Sequence, residues 1–395
     1  MTMRTESDVI VIGGGIIGLA CAYYLSERHL SVALLERGEI GGGASGACDD
    51  MILLQSKKPG INLQLAFESL ELYKSLSDRF DSALELHAMG GMIFIETPEQ
   101  LEIMTKFVES QREYGLPVEI LDVKDVRRKQ PHVTSSVVAS TFCPIDSQVS
   151  PFKVCYTFLR AARERGAAIR AGDPVSGITQ NGDFDWIVST QSGTSYRAPY
   201  VVNAAGAWAS QLAAMIGVEL PIVPKRGQIV VTEKLPPVGE TNVWSAQYIA
   251  SKLQPSGTDA GSASDPLGLG FSFSRTGHGT YLIGSTRESV GYDTGTTYEA
   301  ISRIVGQAVR YFPIFRHIHL IRSFSGLRPA TADGKPIIGE APGKKGFITA
   351  AGHEGDGIAL APVTGKIVAD LIAGTTSTLP VAELAPDRFA VPAVG

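Results

Sequence analysis

Residues 8–36 read DVIVIGGGIIGLACAYYLSERHLSVALLE, and the glycines at 13, 14, 15 and 18 restrict what the surrounding chain can become. The apolar stretch from Val9 to Leu25 invites comparison with a secretory signal or part of a membrane span. A signal needs a basic leader, an uninterrupted apolar core and a cleavage site, and a span needs about 20 apolar residues. Glycines clustered at one end, followed directly by charged sequence, fit neither. Asp8 to Ile12 predicts a short buried strand instead, Ile16 to Glu27 carries helical apolar spacing, and Leu30 to Glu36 predicts a second strand. Strand, glycine turn, helix and strand within about 30 residues form the unit that parallel pairing through a helical crossover requires.

Gly13, Gly15 and Gly18 form a GxGxxG pattern in the context that makes it informative, between strand and helix, and the acid Glu36 closes the second strand. Gly13 permits the tight turn, Gly15 lets the backbone approach a pyrophosphate, and Gly18 allows close packing of helix on strand. The helix start offers free N–H groups and a positive dipole end to phosphates. Glu36 suits a ribose 2'-hydroxyl and repels a 2'-phosphate. The plainer alternative, glycines serving only a turn, is outweighed by this full context.

A chain of 395 residues is long for one hydrophobic core, so two domains or one domain with an insertion are expected. Its 44% apolar and 19% charged residues are ordinary for a globular enzyme. A net charge of -5, with Lys and Arg dispersed, provides no basic field for nucleic acid. Cys21, Cys48, Cys143 and Cys155 show neither CxxC spacing nor a histidine cluster, so no metal site is encoded and four reduced thiols in a cytoplasmic protein are expected.

Further along, the glycine-rich run Gly41 to Gly46 predicts a loop passing close to something, and Leu63 to Phe80 a long helix. Gly90 to Ile95 predicts a strand and Pro98 to Tyr114 an amphipathic helix. The segment PFKVCYTFLRAARERGAAIRAG predicts a helix ending at Gly166 and then a strand. DPVSGI, DWIVSTQSG and SYRAPYVVN predict a three-stranded antiparallel meander returning to a buried strand, Tyr200 to Asn203, with a glycine turn at Gly206. Leu220 to Gly291 is strand-rich with a hairpin signal at Gly277 to Gly279, and Pro255 to Gly270 predicts a mobile surface loop. A last strand, Gly346 to Ala351, leads through Gly352 and Gly355 into a helix from Gly357 to Ala373. That second glycine-to-helix start implies a cofactor with two ends.

The set VIVIGGGIIGLACAYYL with ALLE, GGGASG, VVNAAGAWA, GLRPATADGKPIIG and AAGHEGDGIALAPVTGKIVADLI resembles the D-amino-acid oxidase-like FAD oxidoreductases from Asp8 to Gly374. It is most similar to their glycine oxidase, sarcosine oxidase and proline dehydrogenase branch, and ACDDMILLQSKKPG resembles the flavin subunits of hetero-oligomeric opine oxidases and hydroxyproline dehydrogenases. The resemblance implies an α/β fold: a discontinuous Rossmann-like FAD-binding domain (1–85, 144–218 and 322–395) with an inserted α+β substrate domain on an antiparallel sheet (86–143 and 219–321). It implies FAD as cofactor, with Glu36 on the adenosine ribose and Val175 at the adenine. Ala44, Ser45 and Gly46 would run along the pyrophosphate and flavin, and Gly352, Gly355, Asp356, Gly357 and Ile358 would aim a helix start at the flavin pyrimidine edge. Gly13, Gly15, Ile16, Ile17, Gly18, Arg37, Gly43, Ala205, Gly206, Trp208 and Arg328 complete the implied cofactor contacts.

The same resemblance implies oxidation of a C–N bond in a small carboxylated amine, by hydride transfer to flavin N5 and hydrolysis of the imine. Arg328 would bind the carboxylate, for which a guanidinium fork is suited. Tyr248 on a substrate-domain strand, His353 in the flavin-facing turn and Met51 after the glycine loop are further candidates, each with core packing as the alternative. Where glycine oxidase-like chains often carry a second basic residue in that turn, this one has Glu354, Gly355 and Asp356, which suggests a substrate with a cationic group or access for a different partner. No cysteine lies near the turn, which argues against a covalent flavin thioether. Two alternatives remain: a 2-hydroxy acid dehydrogenase using the same clamp, and an electron-relay flavin subunit that needs partner chains.

Overall fold

The computed structural model describes residues 4–182, 185–247, 249 and 265–389. Residues 255–264 of the expected loop lie outside them. The opening segment folds as expected, with strands Arg4–Glu6 (β1), Val9–Ile12 (β2) and Val32–Leu35 (β3) and helix Ile16–Glu27 (α1) between the last two.

β2 and β3 lie inside a six-stranded sheet whose order is Ile337–Glu340 (β19), Phe347–Ala351 (β20), Tyr200–Asn203 (β13), β2, β3 and Ala168–Arg170 (β9). Every pair is parallel except the edge pair β19 and β20. β2 is apolar at every position because both faces are covered: Val9 and Val11 face one core, Ile10 and Ile12 another. The first core holds α1, Ile61–Arg79 (α2), Pro151–Glu164 (α5) and Gly357–Ile372 (α8). The second lies under the expected meander, Val175–Gln180 (β10), Trp186–Thr190 (β11) and Ser195–Ala198 (β12), whose antiparallel strands are joined at β12 by β1 in parallel.

An eight-stranded sheet runs Leu320–Thr331 (β18), Ile222–Thr232 (β14), Tyr281–Gly284 (β17), Ser272–Arg275 (β16), Asn242–Ser245 (β15), Gly91–Ile95 (β5), Ala139–Cys143 (β7) and Glu119–Asp122 (β6). It departs from the expected antiparallel sheet at one pair, since β15 and β5 run parallel. One face carries the aromatic cluster of Phe271, Phe273, Tyr281, Phe312 and Phe315 under helix Tyr298–Tyr311 (α7), which Thr297 caps by accepting from Ala300 N. The other face packs on Pro98–Arg112 (α3). A short ribbon, Met51–Ile52 (β4) with Ser147–Gln148 (β8), follows the glycine loop. Among the described residues no helix is long and apolar enough to cross a membrane.

Two glycines set the spacing that the site needs. A Cβ at Gly18 would stand 1.9 Å from the Gly13 carbonyl oxygen, so α1 sits against the turn that precedes it. A Cβ at Gly365 in α8 would stand 2.6 Å from the Ala20 carbonyl carbon, so α1 and α8 cross nearly backbone to backbone. In an exposed helix Gly to Ala stabilises by about 1 kcal/mol. Gly365→Ala is expected to do the reverse, costing roughly 1–3 kcal/mol through overpacking. Chemical denaturation reads the sign, and a raised midpoint would refute the close crossing.

Candidate active site

The parallel strands β2 and β20 end at the same edge of the sheet with β13 between them, and each feeds a helix. The β2 and β20 strands that feed α1 and α8 therefore lie about 10 Å apart, two strand spacings. Neither helix is capped by its own N-cap side chain. α1 begins after Gly15, which has no side chain to offer, and the first N–H, at Ile16, is taken at 2.9 Å by Ser45 Oγ from the glycine loop. That loop closes as a short 3-10 turn over Ala44–Gly46, where only irregular backbone was expected.

α8 begins after Asp356, a residue type that ordinarily caps a helix by accepting from its first N–H groups. Here its carboxylate faces the other way and receives Lys57 Nζ at 2.8 Å. Lys57 is 2% exposed, and it also donates to the Leu53 carbonyl and the Ser56 hydroxyl. By engaging Asp356, the buried lysine leaves the α8 start open to a ligand. A Cβ at Gly43 or Gly206 would meet nothing within 4 Å, so the glycine loop and the turn after β13 each border open space. A long ligand with a central pyrophosphate fits this cradle.

Glu36 lies at one end of the cradle. Its Oε2 accepts from Gly14 N at 2.6 Å and its Oε1 from Gly38 N at 2.8 Å, which fixes the carboxylate at the lip of the glycine turn. The Gly38 and Glu36 carbonyls accept from Gly172 N and Asp173 N, bringing the chain that enters β10 at Val175 to the same end. Arg37 stacks over Trp208 with its guanidinium carbon 3.6 Å from the ring centroid, and Tyr292 stacks on Trp208 in turn. Ala205 and Gly206 form the turn at the end of β13 that presents Trp208. Ile16 is buried, and Ile17 packs against the first core.

At the other end Arg328 on β18 extends across β14. A Cβ at Gly227 would fall 2.2 Å from its Nη1, and one at Gly355 would be 3.7 Å from its Nε, so both glycines make room for this one side chain. Arg328 donates to the Thr286 carbonyl at 2.9 Å and to Ser285 Oγ at 3.0 Å, and among the described residues it has no carboxylate partner. Beside it Arg226 and Glu288, each 4% exposed, form a buried pair at 2.6 Å. Burial pushes the Glu288 carboxyl up, but Arg226, Thr286 and Gln228 outweigh it and hold the group below the usual range. Thr286 joins the two systems, donating to Glu288 Oε1 while its carbonyl receives Arg328.

His353 follows Gly352 but its ring turns into the helix, with Nε2 2.9 Å from Thr364 Oγ1. Burial lowers its pKa to about 4 against a smaller opposing effect of Asp356, so the ring is neutral near pH 7. Met51 lies in the apolar cluster with Leu53, Ile93 and Met104. Tyr248 falls outside the described residues. The suggested cationic substrate group loses its basis, because both acids of the turn are already paired: Glu354 with Arg287, and Asp356 with Lys57.

Several buried charged groups escaped the sequence reading: Asp50, Lys57 and Asp146, besides the Arg226 and Glu288 pair. Asp146 accepts from Leu54 N at 2.7 Å and Gln55 Nε2 at 2.6 Å, and burial pushes its carboxyl up to about 6. The available signal was a pair of charges, Asp50 and Lys57, bracketing the apolar run MILLQS. Solvent-facing charges seldom sit so close to a wholly buried strand.

Residues 8–371 match the family of FAD dependent oxidoreductases. The chain is 30% identical to the glycine oxidase of Geobacillus kaustophilus over 94% of both chains, and 28% identical to hydrogen cyanide synthase subunit HcnC of Pseudomonas aeruginosa over 98% of this chain and 97% of the subunit. The crystal structure of the Geobacillus kaustophilus glycine oxidase superposes with a TM-score of 0.87 at 27% identity, covering 97% of this chain and 99% of that one. The L-proline dehydrogenase of P. horikoshii superposes with the same TM-score at 26% identity, covering 98% of each.

His353 provides a pH test of how the α8 turn is built. Below about pH 6.5 the unfolded chain takes a proton that the folded ring refuses until about pH 4, so this residue's stabilising share is lost as pH falls through that window. His353→Gln keeps a donor for Thr364 without the titration. Its stability relative to wild type is expected to rise between pH 7 and pH 4.5, by at most on the order of 3 kcal/mol. Denaturant unfolding across that range measures it, and parallel curves would show the ring to be solvated.

Proposed function

The chain belongs to the family of FAD-dependent oxidoreductases, and from that premise we propose that it oxidises the C–N bond of a small carboxylated amine of glycine-, proline- or opine-like form. The observation that carries this reading is Arg328: a guanidinium without a carboxylate partner among the described residues, lodged over Gly227 and against Gly355 at the turn into α8. When bound, FAD supplies the hydride acceptor, and the imine product is hydrolysed by water. Arg328 holds the substrate carboxylate in a forked pair of hydrogen bonds, which leaves the α-carbon little freedom to turn. Thr286 and Ser285 fix the guanidinium before substrate arrives. The α8 start places N–H groups and a positive dipole end where negative charge grows during reduction.

In this reading residues 1–85, 144–218 and 322–395 bind the cofactor, and 86–143 and 219–321 cover the substrate. The four free cysteines suit the cytoplasm. A second reading is favoured by the relative that is itself a subunit of a synthase: this chain would also work with partner chains that accept its electrons. A 2-hydroxy acid could use the same clamp, and only substrate screening separates it from an amine.

Anaerobic titration of the flavin-loaded protein with carboxylated amines and 2-hydroxy acids tests the proposal directly. Bleaching by the amines alone supports it, and bleaching by hydroxy acids alone replaces it. Arg328→Leu is expected to retain FAD while lowering kcat/KM for a carboxylated amine by roughly 100-fold or more, the loss of about two charge-assisted hydrogen bonds. Arg328→Lys is expected to recover only part, since an ammonium cannot match the fork. An unchanged kcat/KM in Arg328→Leu would remove Arg328 from the site.

A further inference from the structure

Helix α8 begins with main-chain donors that the chain itself does not use. Among the described residues no acceptor meets the N–H of Gly357, Ile358 or Ala359, and the first to be bonded is Leu360 N, to the Asp356 carbonyl at 3.0 Å. Ile358 and Ala359 are buried, so water does not take the place of the missing acceptors. Buried N–H groups are rarely left unmatched, and three in succession mark a start shaped for an acceptor from outside the chain.

The charges of this turn are balanced in two pairs that are held differently. Glu354 is bonded to Arg287, whose side chain is one-third exposed, so water screens that pair. Lys57 is sealed against Asp356, with its other contacts going to the Leu53 carbonyl at 2.8 Å and the Ser56 hydroxyl at 3.2 Å. Its backbone is built into the layer that covers the sheet: Gln111 Nε2 on α3 donates to the Gln55 and Lys57 carbonyls, each at 2.9 Å, and Lys57 N donates to the Leu54 carbonyl. Asp146 holds Leu54 N, and Thr141 on β7 donates to the Gln55 side chain. The ammonium is therefore fixed from outside α8, while His353 in the same turn is neutral near pH 7.

We propose that Lys57 is a positioning residue that sets the reduction potential of the bound flavin through Asp356. This rests on the reading above that the α8 start faces the flavin, and it names what keeps that start receptive to negative charge. A bare carboxylate in the first turn would repel the charge that reduction adds and would lower the potential. Held against a buried ammonium, the same carboxylate is neutralised, and the open N–H groups act without opposition. Pairing of this kind is strongest where water is excluded, as it is around Lys57.

Action through a partner has a signature in sign. Removing the ammonium leaves Asp356 uncompensated at the helix start, whereas removing the carboxylate leaves the ammonium uncompensated, and removing both restores a neutral turn. A lysine that served only as a strut for its loop would behave otherwise: cutting either side of the pair would disturb the site in the same direction, and cutting both would not repair it.

The test measures the flavin potential of the FAD-loaded protein at pH 7 by equilibration with a reference dye, with no substrate present. Lys57→Met is expected to shift the balance about 10-fold toward oxidised flavin, a fall of about 30 mV for a two-electron couple. Asp356→Asn is expected to raise the potential by a similar amount, and the double variant to return to within about 3-fold of wild type. If Lys57→Met does not fold, Lys57→Gln, which keeps a donor for Asp356 but no charge, replaces it in the same series with the same signs expected. Shifts of one sign in both single variants, or no shift in Lys57→Met, overturn the proposal. So does a fall that persists in the double variant, which would mean that Lys57 acts on the ring directly. A Lys57→Met protein that folds but no longer holds oxidised FAD overturns it too, since the lysine is then a strut. Amine oxidation fails separately, because an absence of bleaching by amines leaves these potentials standing, and potentials unmoved by the variants leave bleaching standing.

Discussion

The site depends on the crossing of α1 and α8 at Gly365 and Ala20. A side chain at Gly365 would push the helices apart by the width of a methyl group at least. With them in contact, both start at the same edge of the six-stranded sheet, one from β2 and one from β20. A helix start is a weak anion site by itself, because its dipole acts over a single turn. Two starts fed by strands two places apart in one sheet can hold an extended ligand at two points, which is what a dinucleotide needs. The parallel sheet supplies this arrangement without strain, since parallel strands all deliver their connections to the same edge.

Keeping those starts open is a separate problem, solved with buried charge. A helix start that caps itself has satisfied its own N–H groups and has less to offer a phosphate or a flavin edge. α1 has a glycine N-cap and gives only its Ile16 N–H to Ser45 of the glycine loop, whereas α8 has an aspartate there whose carboxylate is engaged by Lys57. A lysine taken out of water is costly unless paired, and this one is paired with a carboxylate and two further acceptors. The same economy governs the surroundings of Arg328, where Arg226 is paired with both Glu288 and Asp293 while Arg328 has no carboxylate partner among the described residues.

The fold was legible where local pattern and tertiary role coincide. β2, α1, the meander and the last helix all fell within a few residues of their expected bounds, because glycine turns and apolar periodicity there reflect burial on two faces. The parallel pairing of β15 with β5 was not legible, since strand direction within a sheet leaves no mark on either strand's own sequence. The site followed the same division. Glu36 came from motif spacing and Ser45 from the family resemblance, and both approach the α1 turn. The acids of the 352–358 turn were visible, but their partners were not: Lys57 lies about 300 residues away from Asp356 in sequence, and only folding shows that the turn is balanced.

The segment from Gly43 to Lys57 ties these strands of argument together. It contributes the hydroxyl at the α1 start, the loop that packs on Gly326 beside Arg328, the buried carboxyl of Asp50, and the lysine that opens α8. One short stretch therefore touches the starts of both helices and the strand that carries Arg328. Such a stretch cannot change for one purpose without disturbing the other. The β4 and β8 ribbon and the Asp146 contacts to Leu54 and Gln55 fix the segment midway, so that one end is held at the α1 start and the other at Asp356.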